Sequence, residues 1–236
     1  MTRHRIVTFI LAFLVAGSGL LTGCDSNDSQ PTRPFFAVDD RGHSRFDLGA
    51  LRDRLDTLPE ESLSNQEEAS LQFLREEEKL ARDVYRTLYD EWGVQALDNI
   101  ASSEETHTNA VRILLDRYDL PDPAADRPAG AFSNEALQVL HDSLVTVGRE
   151  SELDALRIGA EIEEIDLLDL NEALDTIVDN EDITLVYENL AKGSRNHLRA
   201  FVRTLERRHD VSYDPIHLSP STYQDITESE MERGPN

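Results

Sequence analysis

One short stretch, Ala101-Ser-Ser-Glu-Glu-Thr-His107, restricts the fold more than any other. Residues three apart on a helix lie on one face, so Glu104 and His107 point together. Stepping about 100° per residue, the same face carries Leu97, Ile100, Ala101, Val111, Leu115 and Tyr118, while Glu105 points elsewhere. A carboxylate and an imidazole on an apolar stripe enter the core with it. Burying them is costly unless the interior supplies a partner. A metal ion is one such partner, and the rest of the chain must be able to surround the pair.

The surroundings read as helix. Glu, Leu, Ala and Arg are plentiful, Gly and Pro are few outside the ends, and no run of alternating β-branched residues marks a sheet. Ser64-Asn-Gln-Glu67 is a capping box that opens a helix over 64–92, stopped by Gly93. A second helix runs to about residue 118, and the short link makes the two antiparallel neighbours. Pro121, Pro123, Pro128 and Gly130 make 119–133 a loop, and a short helix over 134–147 follows, broken by Gly148. A third long helix spans 151–178, Asp179-Asn180 turns the chain, and a fourth spans 182–208. Two antiparallel pairs separated by roughly thirty residues with a small helix inside match the ferritin-like arrangement, because simple up-down-up-down bundles need only short loops. The expected fold class is therefore all-α: a ferritin-like four-helix bundle with one long crossover containing a short extra helix.

The flanks are of other kinds. Residues 1–5 are basic, 6–19 are apolar but too short for a standard membrane span, and Leu21-Thr22-Gly23-Cys24 follows. This resembles the lipobox of bacterial lipoproteins, which implies cleavage before Cys24 and lipidation of Cys24. The expected location is the bacterial cell envelope, anchored to the membrane by lipid and facing outside the cytoplasm. Cys24 is the chain's one cysteine, so no intrachain disulfide forms. Residues 24–62 read as a tether with a short leading helix over 46–58, 63–208 as the bundle, and 209–236 as a flexible acidic tail. The net charge of −24 argues against nucleic acid as a partner. A homodimer is compatible with this organisation.

The same face test picks out further inward polar residues. The first long helix presents Glu78, with Glu77 at the stripe edge and Glu76 pointing away. Glu163 and Glu164 flank the stripe centre of the third helix, and Ser194 and His197 lie on the stripe of the fourth. All fall near mid-helix, so they can share one layer. Carboxylates and imidazoles suit iron, manganese or zinc. Di-iron carboxylate bundles use one Glu from each of two helices and a Glu-x-x-His from each of the other two. A metal-free alternative also stands, in which Arg75, Arg82 or Arg195 neutralises the buried acids.

Glu78-Lys-Leu-Ala81-Arg82-Asp-Val-Tyr85 resembles the first-helix pattern of rubrerythrin-type proteins. The whole set is closer to a ferritin-like family of unknown function, through Arg75-Glu-Glu-Glu-Lys-Leu-Ala-Arg-Asp-Val-Tyr85, Asn99-Ile-Ala-Ser-Ser-Glu104-Glu-Thr-His107, Gly159-Ala-Glu-Ile-Glu-Glu164 and Gly193-Ser-Arg-Asn-His-Leu-Arg-Ala-Phe201. The resemblance covers roughly residues 63–206. It implies a metal site held by Glu78, Glu104, His107, Glu164 and His197, with Glu163 as a sixth candidate. The site would take iron, as a pair or a single ion, with manganese or zinc as alternatives. With iron, the resemblance implies iron(II) oxidation or peroxide reduction, electrons coming from an external donor. One departure stands out: Ser194 occupies the position where the fourth-helix Glu-x-x-His would place its carboxylate.

Overall fold

The computed structural model describes residues 33–235, and the expected signal sequence and Cys24 lie outside them. Within that range the chain is all-α apart from one small hairpin. The elements are β1 (Phe36–Val38), β2 (Ser44–Phe46), α1 (Leu48–Leu55), α2 (Asn65–Trp92), α3 (Gln95–Arg117), α4 (Glu135–Gly148), α5 (Glu152–Thr176), α6 (Glu181–His209) and α7 (Pro220–Glu228). Among the described residues no helix is long and apolar enough to cross a membrane.

Local chemistry sets the helix limits. Ser64 and Glu67 exchange both bonds of a capping box at the start of α2, and Ser151 caps α5. Gly93 ends α2 at φ 64°, a left-handed turn that a Cβ would strain, and the chain enters α3 two residues later. α2 packs along α3, and α5 along α6. Contacts of α3 with α6 and of α2 with α5 join the four long helices around one core, and α4 lies against α2 and α5. Leu80, Val84, Leu114, Leu156, Leu190 and Phe201 are among the fully enclosed side chains of that core. Each such leucine contributes about 1.5–3 kcal/mol over an exposed one.

Both flanks differ from the expectation based on composition. The leading helix is shorter than 46–58: Asp47 caps α1, and Phe46 belongs to β2. Antiparallel pairing sets Phe36 opposite Phe46 and Val38 opposite Ser44. All four side chains are buried, and β2 packs against both α3 and α6. The polar stretch that looked like a tether is therefore, from residue 33 on, a plug against the helices.

The segment after residue 209 is not frayed. Glu164 accepts hydrogen bonds from the Tyr213 hydroxyl (2.5 Å) and from the backbone N–H groups of Ile216, His217 and Leu218. On α6, buried Arg199 donates to the carbonyl of Ile226, to Ser229 and to Glu232, while Arg195 forms a two-pronged pair with Glu232 at 2.8 and 2.6 Å. Composition hid this, because the partners of the tail are buried charges on distant helices. Deleting residues 211–236 removes the hydrogen-bond partners of Glu164 and leaves Arg199 with Asn196 alone, so the truncated protein should lose about 3–5 kcal/mol of stability in a urea titration. An unchanged midpoint would mean that the tail merely rests on the surface.

Candidate metal centre

The helices bring five of the six expected residues to one buried point. Glu78 comes from α2, Glu104 and His107 from α3, Glu163 from α5 and His197 from α6, each at most 1% exposed. Two triads form, Glu78–Glu104–His107 and Glu104–Glu163–His197. Within each, one potential ligand atom per residue lies within 4.8 Å of the others. Glu104 belongs to both. Its Oε2 is 2.8 Å from His107 Nδ1, and its Oε1 is 2.7 Å from His197 Nδ1. Glu78 Oε2 lies 3.3 Å from His107 Nδ1, and Glu163 Oε2 lies 3.4 Å from His197 Nδ1.

These contacts are short, yet they lack hydrogen-bond geometry. Both Nδ1 atoms, both oxygens of Glu78 and of Glu104, and Oε2 of Glu163 are buried without a hydrogen-bond partner. Buried polar atoms are nearly always paired. Oxygens and nitrogens that crowd together without bonding one another are placed as ligands of a shared cation are. Carboxylate and imidazole donors suit iron, manganese or zinc, and three donors per triad leave coordination positions open, as catalytic sites require. The residues therefore fit a pair of divalent metal ions.

The expected arginine neutralisation is not found among the described residues. Arg75 pairs with Asp122 and bonds Thr108, Arg82 reaches Asp83 and Glu105, and Arg195 holds Glu232. The ion pairs of Glu78, Glu104 and Glu163 are with the two histidines.

Glu164 is the residue the structure sets apart from the cluster. One position on from Glu163, it is turned about 100° around the helix and binds the C-terminal segment instead. Ser194, also buried, donates its hydroxyl to the carbonyl of Leu190 (3.3 Å). On the other edge of the two rings the hairpin supplies a serine. Ser44 Oγ lies 2.6 Å from His107 Nε2 and 2.9 Å from His197 Nε2. Where the neighbouring carboxylates hold both rings as imidazolium, both Nε2–H groups donate to this one oxygen. A Cβ on Gly193 would come within 2.5 Å of the His107 ring and 2.9 Å of Ser44 Oγ, so glycine there makes room for the serine. Phe46 packs edge-on to His107, and the two imidazoles stack at 5.3 Å. Tyr85 donates to Glu163 Oε1 (2.6 Å) and leaves Oε2 facing His197. Ser44 carried no sequence signal, since it lies in a polar stretch ahead of the apolar run that starts at Phe46.

Charge in the centre is strongly displaced. Burial pushes the Glu78 carboxyl up to about 8, against the pull of His107, and raises Glu163 against the pull of His197. Burial works the same way on Glu104, but the two imidazoles overcome it and hold that carboxyl well below the usual range. Burial opposes both imidazolium ions; even so, Glu104 and Glu78 lift His107 to about 10, and Glu104 and Glu163 lift His197 to about 9.

Comparison with known proteins adds kinship without an activity. The family model described as "Uncharacterized protein domain (DUF2202)" matches residues 67–230, so the Ser44 hairpin precedes the match. "Uncharacterized protein MJ0754" of Methanocaldococcus jannaschii is 48% identical over 182 residues, which is 77% of this chain and 97% of the relative. The crystal structure of hypothetical protein MJ0754 from Methanococcus jannaschii DSM 2661 superposes with a TM-score of 0.72, covering 74% of this chain and 99% of that one.

The displaced charges give a pH dependence with a definite sign. Folded Glu78 and Glu163 keep protons that the unfolded chain, with carboxyls near 4.5, releases. Their stabilisation is complete below pH 4.5 and is lost as pH rises, for Glu78 through about 8. Stabilisation from the histidines is complete below 6.5 and is lost on rising through about 9 and 10. Glu104 acts oppositely, losing its contribution only on acidification below 4.5. The metal-free protein should therefore lose thermal stability between pH 6 and pH 9, by up to about 1.4 kcal/mol per pH unit for each proton released. A melting temperature that holds level or rises over that range would contradict the assignment.

Proposed function

The chain belongs to this family of uncharacterized domains, and we propose that it is a ferritin-like, lipid-anchored metal protein of the bacterial cell envelope. It would bind two divalent ions, iron first and manganese or zinc as alternatives, in a partial di-metal carboxylate site. The observation that carries this reading is the sharing of Glu104 between two buried triads whose ligand atoms have no other partners. The order of the long helices and the crossover holding α4 support the ferritin-like bundle. Leu21-Thr22-Gly23-Cys24 supports the anchor through its likeness to a lipobox.

Each residue has a distinct task in this reading. Glu104 would be shared by the two ion positions, His107 and His197 would each hold one ion through Nδ1, and Glu78 and Glu163 would complete one triad each. Ser44 accepts both Nε2–H bonds and so fixes which ring nitrogen faces inward, an orientation that ligating histidines depend on. Tyr85 orients Glu163. Phe46 and Phe201, packed on His107 and Tyr85, exclude bulk water and strengthen the electrostatics within. A bound pair of iron ions would supply redox chemistry with oxygen or peroxide, which makes iron(II) oxidation or peroxide reduction the activity to assay. An external donor would provide the electrons for turnover.

Metal analysis of the full-length protein purified without chelator tests the reading. About two equivalents per chain are expected, as in di-metal carboxylate bundles. The double variant Glu104→Gln/His107→Leu should lose this metal while keeping its helical circular dichroism. A wild-type protein that takes up no iron(II) under anaerobic reconstitution would instead leave imidazolium–carboxylate pairs with a purely structural role. Ser44→Ala should weaken metal affinity by about 10–100-fold in competition with a coloured chelator; unaltered affinity would reduce Ser44 to a space filler.

A further inference from the structure

The candidate centre is enclosed, and the Ser44 hairpin covers it between α3 and α6. On the opposite side, between α2 and α5, lies a second group of acids. Glu77 is the neighbour of Glu78 on α2. Asp166 and Asp169 follow Glu163 on α5 at steps of three residues, each step advancing about 4.5 Å along one face of the helix. Glu77 is 3% and Asp166 1% exposed, and all four of their carboxylate oxygens are buried without a hydrogen-bond partner. The charged neighbours that act on them are themselves acids. The Asp169 carboxyl touches that of Glu77, Glu78 lies beyond, and Asp166 faces Glu77, Glu78, Glu163 and Glu104. Asp169 is only half-buried, so this end of the row meets solvent.

No base answers this charge among the described residues. Lys79, one turn from Glu76, is spent on Asp83 and on the carbonyls of Pro128 and Ala131, and Arg75 is held by Asp122. Buried carboxylates without donors are expensive, and a stability requirement alone would favour apolar residues of similar size. The row instead leads from a half-exposed acid to the shared layer of the candidate centre.

We propose that Asp169, Glu77 and Asp166 form an acidic path by which divalent cations pass from the surface, between α2 and α5, to the Glu104 centre. The proposal rests on the reading of that centre as metal-binding. The path offers oxygen donors alone, which hold hard and borderline cations loosely, whereas the centre adds two imidazoles that favour transition metals. An iron(II) or manganese(II) ion therefore gains stronger ligands on reaching the centre, and magnesium gains nothing by advancing.

The test is the rate of cobalt(II) uptake by the full-length metal-free protein, followed in a stopped-flow instrument through the visible absorbance of cobalt bound by the histidines. The isosteric variant Glu77→Gln/Asp166→Asn should load more slowly by about tenfold or more, the scale on which a charged route raises association rates, and should reach the wild-type final absorbance. Asp169→Asn, at a half-exposed position where folding is not at stake, should slow loading several-fold at low salt. Variants that load as fast as wild type overturn the path and leave the centre intact. A wild-type protein that develops no cobalt absorbance overturns the metal reading itself and the path with it.

Discussion

Glu104 divides its two oxygens between two histidines on different helices, at 2.8 Å from one and 2.7 Å from the other. The fold is arranged around this shared, dehydrated carboxylate. Glu78 and Glu163 stand beside it, also buried, and the ion pairs of all three within the described residues are with those histidines. Three acids and two imidazoles in a dry core hold together only if protons or metal ions balance them. The strong bases are placed outside this layer. Lys79 and Arg75 fasten the connection between α3 and α4, Arg117 holds Asp182 at the start of α6, and Arg199 fastens the tail. Basic side chains thus tie connections to helices, and the acidic interior is left to small cations.

The two flanking segments complete the helical core in complementary ways. The hairpin delivers Ser44 to the Nε2 edges of both imidazoles, and Gly193 leaves the space for it. A neutral oxygen between the two Nε2 atoms adds no further anion to the core and fixes the orientation of both rings. The C-terminal segment binds the outward-turned Glu164 and the buried Arg199. Adjacent residues, Glu163 and Glu164, therefore serve the centre and the fold respectively, because one step along a helix changes the direction by about 100°.

Much of this was legible from periodicity. The limits of α2 through α6 follow capping and breaking residues within two positions, from Ser64 and Gly93 to Gly148 and Ser151. The inward direction of Glu78, Glu104, His107, Glu163 and His197 follows from their spacing within apolar stripes. Periodicity failed for Glu164, because two acids flanking one stripe are equivalent in a helical projection, and it failed for Glu76 and Glu77. Glu76 is buried beneath Ser133 and Asn134, to which it bonds, and Glu77 is buried between helices. A projection of one helix contains no information about what covers its sides.

By itself, the sequence determined the helices, their order and the faces they bury, since these depend on interactions within a few residues along the chain. It also determined that acids and imidazoles enter the core at one level. Tertiary structure alone decided that Glu104 is shared, that Ser44 bridges the two rings, that the arginines stay outside and that the tail closes on Glu164. Those outcomes depend on contacts between residues up to 153 positions apart. Such contacts depend on how faces meet in space, to which a local pattern of apolar residues is indifferent.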